Sequence, residues 1–151
     1  MVQERIKCRY NLKIKHIVED DTCPICQSAP ETTQHLILEC PFAKTVWECM
    51  GFDIAGVGVA RLWEIPKPVQ VPAAHFSVLL LLVSWSIWKH RNGVTFNDHR
   101  PSERRLLAMA KEMARLWQYR LPRDDAAVTE IWCSTLFSNM YPLKFSVYPL
   151  P

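Results

Sequence analysis

The sequence predicts a mainly α protein, in which a small Cys/His knuckle with short helices is followed by a helical C-terminal region. Three observations predict it. Glycine is scarce, at 4 residues of 151, and proline plentiful, at 11; this disfavours an all-β sandwich, which needs a turn signal about every 8–12 residues. Apolar residues in the distal half recur at helical spacing. Finally, four residues of metal-ligand type crowd into Cys23–Cys40. The length suits one globular domain or two small units. No phosphate-binding glycine loop, dinucleotide fingerprint, G-x-S-x-G elbow or H-E-x-x-H motif occurs, so nucleotide-driven, serine-hydrolase and metalloprotease chemistries are excluded and no catalytic residue is assigned.

The elements divide the chain into a knuckle module over 1–50, a connector over 51–72, a helical region over 73–137 and an extended tail over 138–151. In the knuckle, Ser28-x-x-Glu31 reads as a capping box, with Thr32 the alternative N-cap, so a short helix carries His35. Pro41 suits the first turn of another helix, whose Phe42, Val46 and Trp47 share one face, and Gly51 suits its C-terminal stop. Gly58, Pro66, Pro68 and Pro72 mark the connector, with one short turn around Arg61–Glu64. Residues Ala73–His90 are expected to form a buried helix, because apolar side chains cover every face, and Arg91-Asn92-Gly93 is expected to end it. Ser102 caps the next helix, with Leu106, Ala110, Met113 and Trp117 on its core side, Arg104, Arg105, Lys111 and Arg115 on the others, and Pro122 as its stop. A final helix over Asp124–Phe137, capped by Asp124 or Asp125, precedes a proline-bearing tail that does not fold alone.

Charge is segregated. Residues 1–18 carry five cations (Arg5, Lys7, Arg9, Lys13 and Lys15) against Glu4, a net +4; residues 19–64 carry −6; the remainder carries +5. A basic arm and a basic distal half therefore flank an acidic centre, which admits a polyanionic partner that the overall +3 alone would not suggest. The N-terminus lacks the apolar stretch of a secretory signal, so an intracellular protein of nucleus or cytoplasm is expected. The most apolar run, Phe76–Trp88, has 13 residues. That is short of the roughly 20 needed to span a bilayer, so no membrane segment is expected.

In an intracellular setting the six cysteines read as thiols or metal ligands rather than disulfides. Cys23, Cys26, His35 and Cys40 form C-x2-C-x8-H-x4-C. The Cys23-Pro24-Ile25-Cys26 turn can aim two sulfurs at one ion about 2.3 Å away, and His35 and Cys40 return to complete a tetrahedron. Soft thiolates and a tetrahedral set point to one Zn2+, and four protein ligands leave no position for water, so its role is structural. Two other readings compete: ordinary buried cysteines, and a thioredoxin-like redox pair. No βαβ pattern surrounds the pair to support the latter. Asp20-Asp21 reads as a solvated loop, and His16, His75, His90 and His99 as surface or packing residues. Cys8, Cys49 and Cys133 are isolated in sequence.

The stretch from Cys8-Arg9-Tyr10-Asn11-Leu12 to Trp47 resembles the reverse-transcriptase zinc-binding domain near the C-terminal end of plant non-LTR (LINE-type) retroelement polyproteins. The resemblance rests on CPIC at Cys23–Cys26, Glu31-Thr32, HLILECPFAKTVW at His35–Trp47 and the basic stretch before them. Trp85-Ser86-Ile87-Trp88-Lys89-His90-Arg91-Asn92 is similar to the W-x-x-W-K-x-R-N segment that often follows in such elements. It covers residues 5–50 well and 80–135 loosely, and matches Cys23, Cys26, His35 and Cys40 to the family's ligands. The paired aspartates of a polymerase and the dispersed carboxylates of a ribonuclease H are lacking, so the resemblance implies a module detached from the polymerase, without reverse-transcriptase activity.

Two functions follow. The resemblance implies a nucleic-acid-binding module for RNA or single-stranded DNA, with Lys7, Arg9, Lys13 and Lys15 on phosphates and Tyr10, with Trp47, stacking on bases. The alternative is a zinc-stabilised protein–protein interaction module. The acidic centre favours that alternative, because three thiolates on one divalent ion add a further negative charge to the knuckle.

Overall fold

A computed structural model describes residues 6–138; of the expected 138–151 tail, everything from residue 139 on lies outside the described residues, as does Arg5 of the basic arm. Helix α1 spans Arg9–Ile14, α2 Pro41–Cys49, α3 Phe76–Phe96, α4 Glu103–Trp117 and α5 Ala127–Ser138. A π-turn over His35–Glu39 and three short 3-10 segments, Val59–Glu64, Gln118–Arg120 and Arg123–Asp125, complete the order. Among the described residues there is no strand beyond an isolated antiparallel bridge between Thr22 and Pro30. The predicted mainly α class, a Cys/His cluster followed by helices, is what the chain adopts.

Local chemistry explains the ends of these elements. The Thr32 hydroxyl, not a Ser28–Glu31 box, caps the segment carrying His35, accepting its amide at 3.0 Å. Pro41 has no N–H to offer the Ile37 carbonyl, and the Trp47 indole donates to that carbonyl instead at 2.8 Å. The Cys40 amide reaches back five residues to His35, which widens the turn into a π-turn. Helix α2 begins at Pro41, as expected, and ends with Gly51 at φ +75°. There the Phe52 amide bonds the Trp47 carbonyl and the Gly51 amide the Glu48 carbonyl, the paired bonds of a Schellman stop. Ser102 caps α4 by accepting the Arg105 amide.

The long helix departs from expectation in three ways. It starts at Phe76 because His75 sits in the left-handed region, its ring 2.8 Å from the Asp125 carboxylate. It runs through Arg91-Asn92-Gly93 to Phe96 instead of stopping there. Gly93 serves a close approach, not a break: a Cβ at that position would lie 2.6 Å from the His99 ring. Nor is every face covered. Leu79, Leu80, Leu82, Val83 and Ile87 are buried, whereas Leu81 is 60% and Trp85 45% exposed. Among the described residues no helix is long and apolar enough to cross a membrane.

One apolar cluster joins the knuckle side of the chain to the helical region. It contains Leu36, Ile37, Val46 and Trp47 from the knuckle side, Leu79, Val83 and Ile87 of α3, Leu106 and Ala110 of α4, and Trp132 of α5. Helix α4 packs against both α3 and α5, and α2 against α4. A buried ion pair adds a polar tie. Arg91 of α3 donates from Nε and Nη2 to the two oxygens of Glu31, each at 2.6 Å, and the Arg9 amide donates to the same carboxylate at 2.7 Å. Glu31 is wholly buried and Arg91 3% exposed. The fork geometry and the extra amide satisfy a carboxylate that has lost its water. The start of α1, the knuckle and α3 thus meet on one side chain.

Replacing Arg91 by Met, which keeps the apolar stem and leaves buried Glu31 with the Arg9 amide but no counter-ion, is expected to cost about 3–5 kcal/mol in urea denaturation. Adding Glu31→Gln should recover part of the loss; a double variant as unstable as the sum of both singles would contradict this. His90 gives a second expectation. Its ring stacks on Phe42 at 5.1 Å and accepts the Ser102 amide at 3.1 Å, and burial, helped by Arg105 and His99, pushes it down to about 4. The unfolded ring takes a proton below about 6.5, so the stability carried by the neutral folded ring is complete above that pH and is lost as pH falls to about 4. His90→Gln, which keeps an acceptor for Ser102, should therefore remove up to about 3 kcal/mol of the pH dependence across that window. Unfolding free energies with an unchanged pH slope would contradict it.

Candidate metal centre and basic surfaces

Four side chains from three short segments converge at the knuckle. The loop from Asp21 to Glu31 closes on itself, with the Cys23 amide bonded to the Ala29 carbonyl at 2.8 Å and the Glu31 amide to the Asp21 carbonyl at 2.7 Å. The turn after Cys23 is fixed by the Gln27 amide on the Cys23 carbonyl, with Gln27 in the left-handed region. This presents Cys23 and Cys26 together. The π-turn brings in His35, and Cys40, directly before α2, supplies the fourth group.

The Sγ atoms of Cys23, Cys26 and Cys40 and a ring nitrogen of His35 all lie within 4.8 Å of one another, so these residues can hold a metal ion. A tetrahedron with bonds of about 2.3 Å has edges near 3.8 Å, so little movement is needed to close the set around Zn2+. Cys26 Sγ and His35 Nε2 are 3.3 Å apart. The donor chemistry fits as well. The Cys23–Cys40 thiol contact, together with burial, raises Cys23, while the same contact and the Phe42 and Ala43 amides at the start of α2 lower Cys40. Such thiols give up their shared proton to a cation that both can ligate. The Ser28 hydroxyl, 3.2 Å from Cys26 Sγ, donates to that sulfur and steadies it from outside the ligand set.

Cys8 is buried against the Thr33 hydroxyl at 3.8 Å and lies outside the group of four. Neither the Ser28–Cys26 contact nor the Glu31–Arg91 tie is signalled by spacing, although Glu31 and Arg91 stand in the two segments that carry the resemblance.

The basic arm is arranged differently from expectation. Arg9 folds back on the acidic loop, with Nη1 3.3 Å from the Asp20 carboxylate and 3.3 Å from the Thr22 carbonyl. Lys13 pairs with Asp21 at 3.0 Å. The Thr22 hydroxyl and amide, aided by Arg9 and Lys13, hold the Asp20 carboxyl below its ordinary value. Lys7, Tyr10 and Lys15 are exposed. Trp47 cannot stack on a base: it is wholly buried, bonded to Ile37 and packed edge-on against Phe52 at 5.4 Å, because its position on the apolar face of α2 turns it into the core.

Comparison with known families matches residues 1–47 to the zinc-binding domain of reverse transcriptase, and this segment contains all four candidate ligands. The match covers the zinc-binding part alone and no catalytic domain of a reverse transcriptase. No curated protein and no solved structure matches the chain.

Protein purified without chelator is expected to carry one zinc per chain by elemental analysis. Cys26→Ala or His35→Ala should release it and lower the melting temperature sharply, since structural zinc contributes on the order of 10 kcal/mol in small fingers. Either variant melting like the wild type would reject a structural role.

Proposed function

Taking residues 1–47 as the zinc-binding domain of a reverse transcriptase, we propose that this chain is a retroelement-derived, non-catalytic zinc protein that binds RNA or single-stranded DNA. One structural Zn2+ is held by Cys23, Cys26, His35 and Cys40. The observation that carries the metal reading is the convergence of three sulfurs and an imidazole within 4.8 Å. With four protein donors the ion offers no site for water or substrate, so its work is to order the chain around it. The basic segments flanking the knuckle supply the contacts to phosphate, and α1 is held beside the knuckle by the Arg9 amide on Glu31, which leaves Lys7, Tyr10 and Lys15 facing solvent.

A second reading is favoured by one observation. Asp20 and Asp21 pair with Arg9 and Lys13 at 3.3 and 3.0 Å, which partly offsets the arm's positive charge. A protein partner for the acidic centre is the function that arrangement serves if nucleic acid does not bind.

Fluorescence anisotropy with a labelled oligouridylate separates the two. Affinity is expected to fall linearly on a log–log plot against salt, with a slope of about −0.7 for each phosphate contacted. Prior removal of zinc with a chelator should weaken binding. Absence of binding even at low salt would overturn the nucleic-acid reading in favour of the protein partner.

A further inference from the structure

With Arg9 and Lys13 paired to Asp20 and Asp21, the arm offers Lys7 and Lys15 to a polyanion, and the structure carries a second basic surface elsewhere. Helix α4 buries Leu106, Leu107, Ala110 and Ala114. At 100° per residue these leave Arg104, Arg105 and Arg115 together on the opposite side, all exposed. Arg104 and Arg105 make no ion pair among the described residues. The one acid on that side, Glu112, meets Arg115 at 3.7 Å with both side chains more than half exposed, a contact that solvent screens heavily. Glu103, in the first turn of the helix, bears on Cys49 of α2. At the far end of the same face Tyr119 is 82% exposed, standing in the 3-10 turn that follows α4.

We infer that this outer face of α4 is the principal nucleic-acid-binding surface of the protein, with Arg104, Arg105 and Arg115 on the phosphates of a single strand and Tyr119 stacking on a base. The inference rests on the nucleic-acid reading above and assigns its surface. Three features select a single-stranded polyanion over an acidic protein. The exposed cations there are arginines, with Lys111 half-buried beside them, and the planar arginine fork matches phosphate oxygens in pairs. They are followed by a solvent-facing aromatic ring, which suits a base face and has no charge to pair with a carboxylate. From Arg104 to Tyr119 the face runs about 22 Å along the axis, enough for several nucleotides.

The metal centre sets the position of this face. Phe42 follows the ligand Cys40 by two residues and stacks on His90, and His90 accepts the amide of Ser102, the cap of α4. Two contacts thus link the start of α2, directly after the candidate ligand Cys40, to the cap of the binding helix.

The test uses the zinc-loaded full chain and a labelled oligouridylate, with anisotropy read across a salt series. Arg104→Gln, Arg105→Gln and Arg115→Gln combined should flatten the log–log slope by about 2, three phosphates at roughly 0.7 each. The corresponding triple change to Lys should retain the slope, and circular dichroism should show both proteins folded. Tyr119→Ala should weaken binding about 5- to 100-fold with the slope unchanged, because stacking releases no counterions. Lys7→Gln with Lys15→Gln serves as the comparison on the arm. If the wild type binds and the arm variant, not the α4 variant, loses the slope, the assignment of the surface is overturned while the nucleic-acid function stands. If the wild type does not bind at low salt, both fall; an acidic protein captured by α4 in that case would identify the face as a protein-docking surface instead.

Discussion

A carboxylate buried without water is tolerable only if every oxygen finds a donor, and the organisation of this protein follows from how Glu31 solves that problem. Its two oxygens receive the Arg91 fork and the Arg9 amide. Those partners stand 60 and 22 residues away in sequence, so one side chain fixes the entry of α1, the end of the knuckle loop and the middle of α3 relative to one another. The Glu31 amide bonds the Asp21 carbonyl, which draws the pair onto the loop that presents Cys23 and Cys26. A pair of this kind need not add net stability over a well-packed apolar substitute. What it supplies is a single permitted arrangement, since any other leaves a charge stranded in the core.

Metal and core then reinforce one another. A knuckle of this size holds too little apolar surface to fold alone, and here its Leu36, Ile37, Val46 and Trp47 enter the same cluster as α3, α4 and α5. Zinc bound at the four donors would hold the π-turn and the start of α2 in place, and those segments deliver the Phe42–His90–Ser102 contacts that seat α4. The electrostatic pattern is a consequence. The acidic loop that closes the metal site also collects Arg9 and Lys13, so the free positive field moves from the arm to the helices.

Features set by neighbours in sequence were legible in it: Pro41 opening α2, Gly51 closing it, Ser102 capping α4, the apolar stripe of α4, and the convergence of four candidate ligands. What was not legible depended on distant partners. Gly93 looked like a stop because glycine ends many helices, but here it makes room for the His99 ring. Ser28 and Glu31 matched a capping box by type, yet the hydroxyl serves Cys26 and the carboxylate serves Arg91. The apolar run of α3 suggested burial all round because composition does not tell which flank meets a neighbour. Counting cations along the arm likewise missed that two of them face aspartates from the next loop.

The candidate metal site and the helical region are joined through Glu31–Arg91 and Phe42–His90. Hydrogen exchange of the backbone amides, measured by mass spectrometry on the zinc-loaded protein and after chelation, shows whether the two respond as one unit. Removing the metal should lower protection in α3 around Arg91 and in the first turns of α4, together with that of the knuckle. Loss of protection confined to residues before Gly51, with α3 and α4 unchanged, would contradict it.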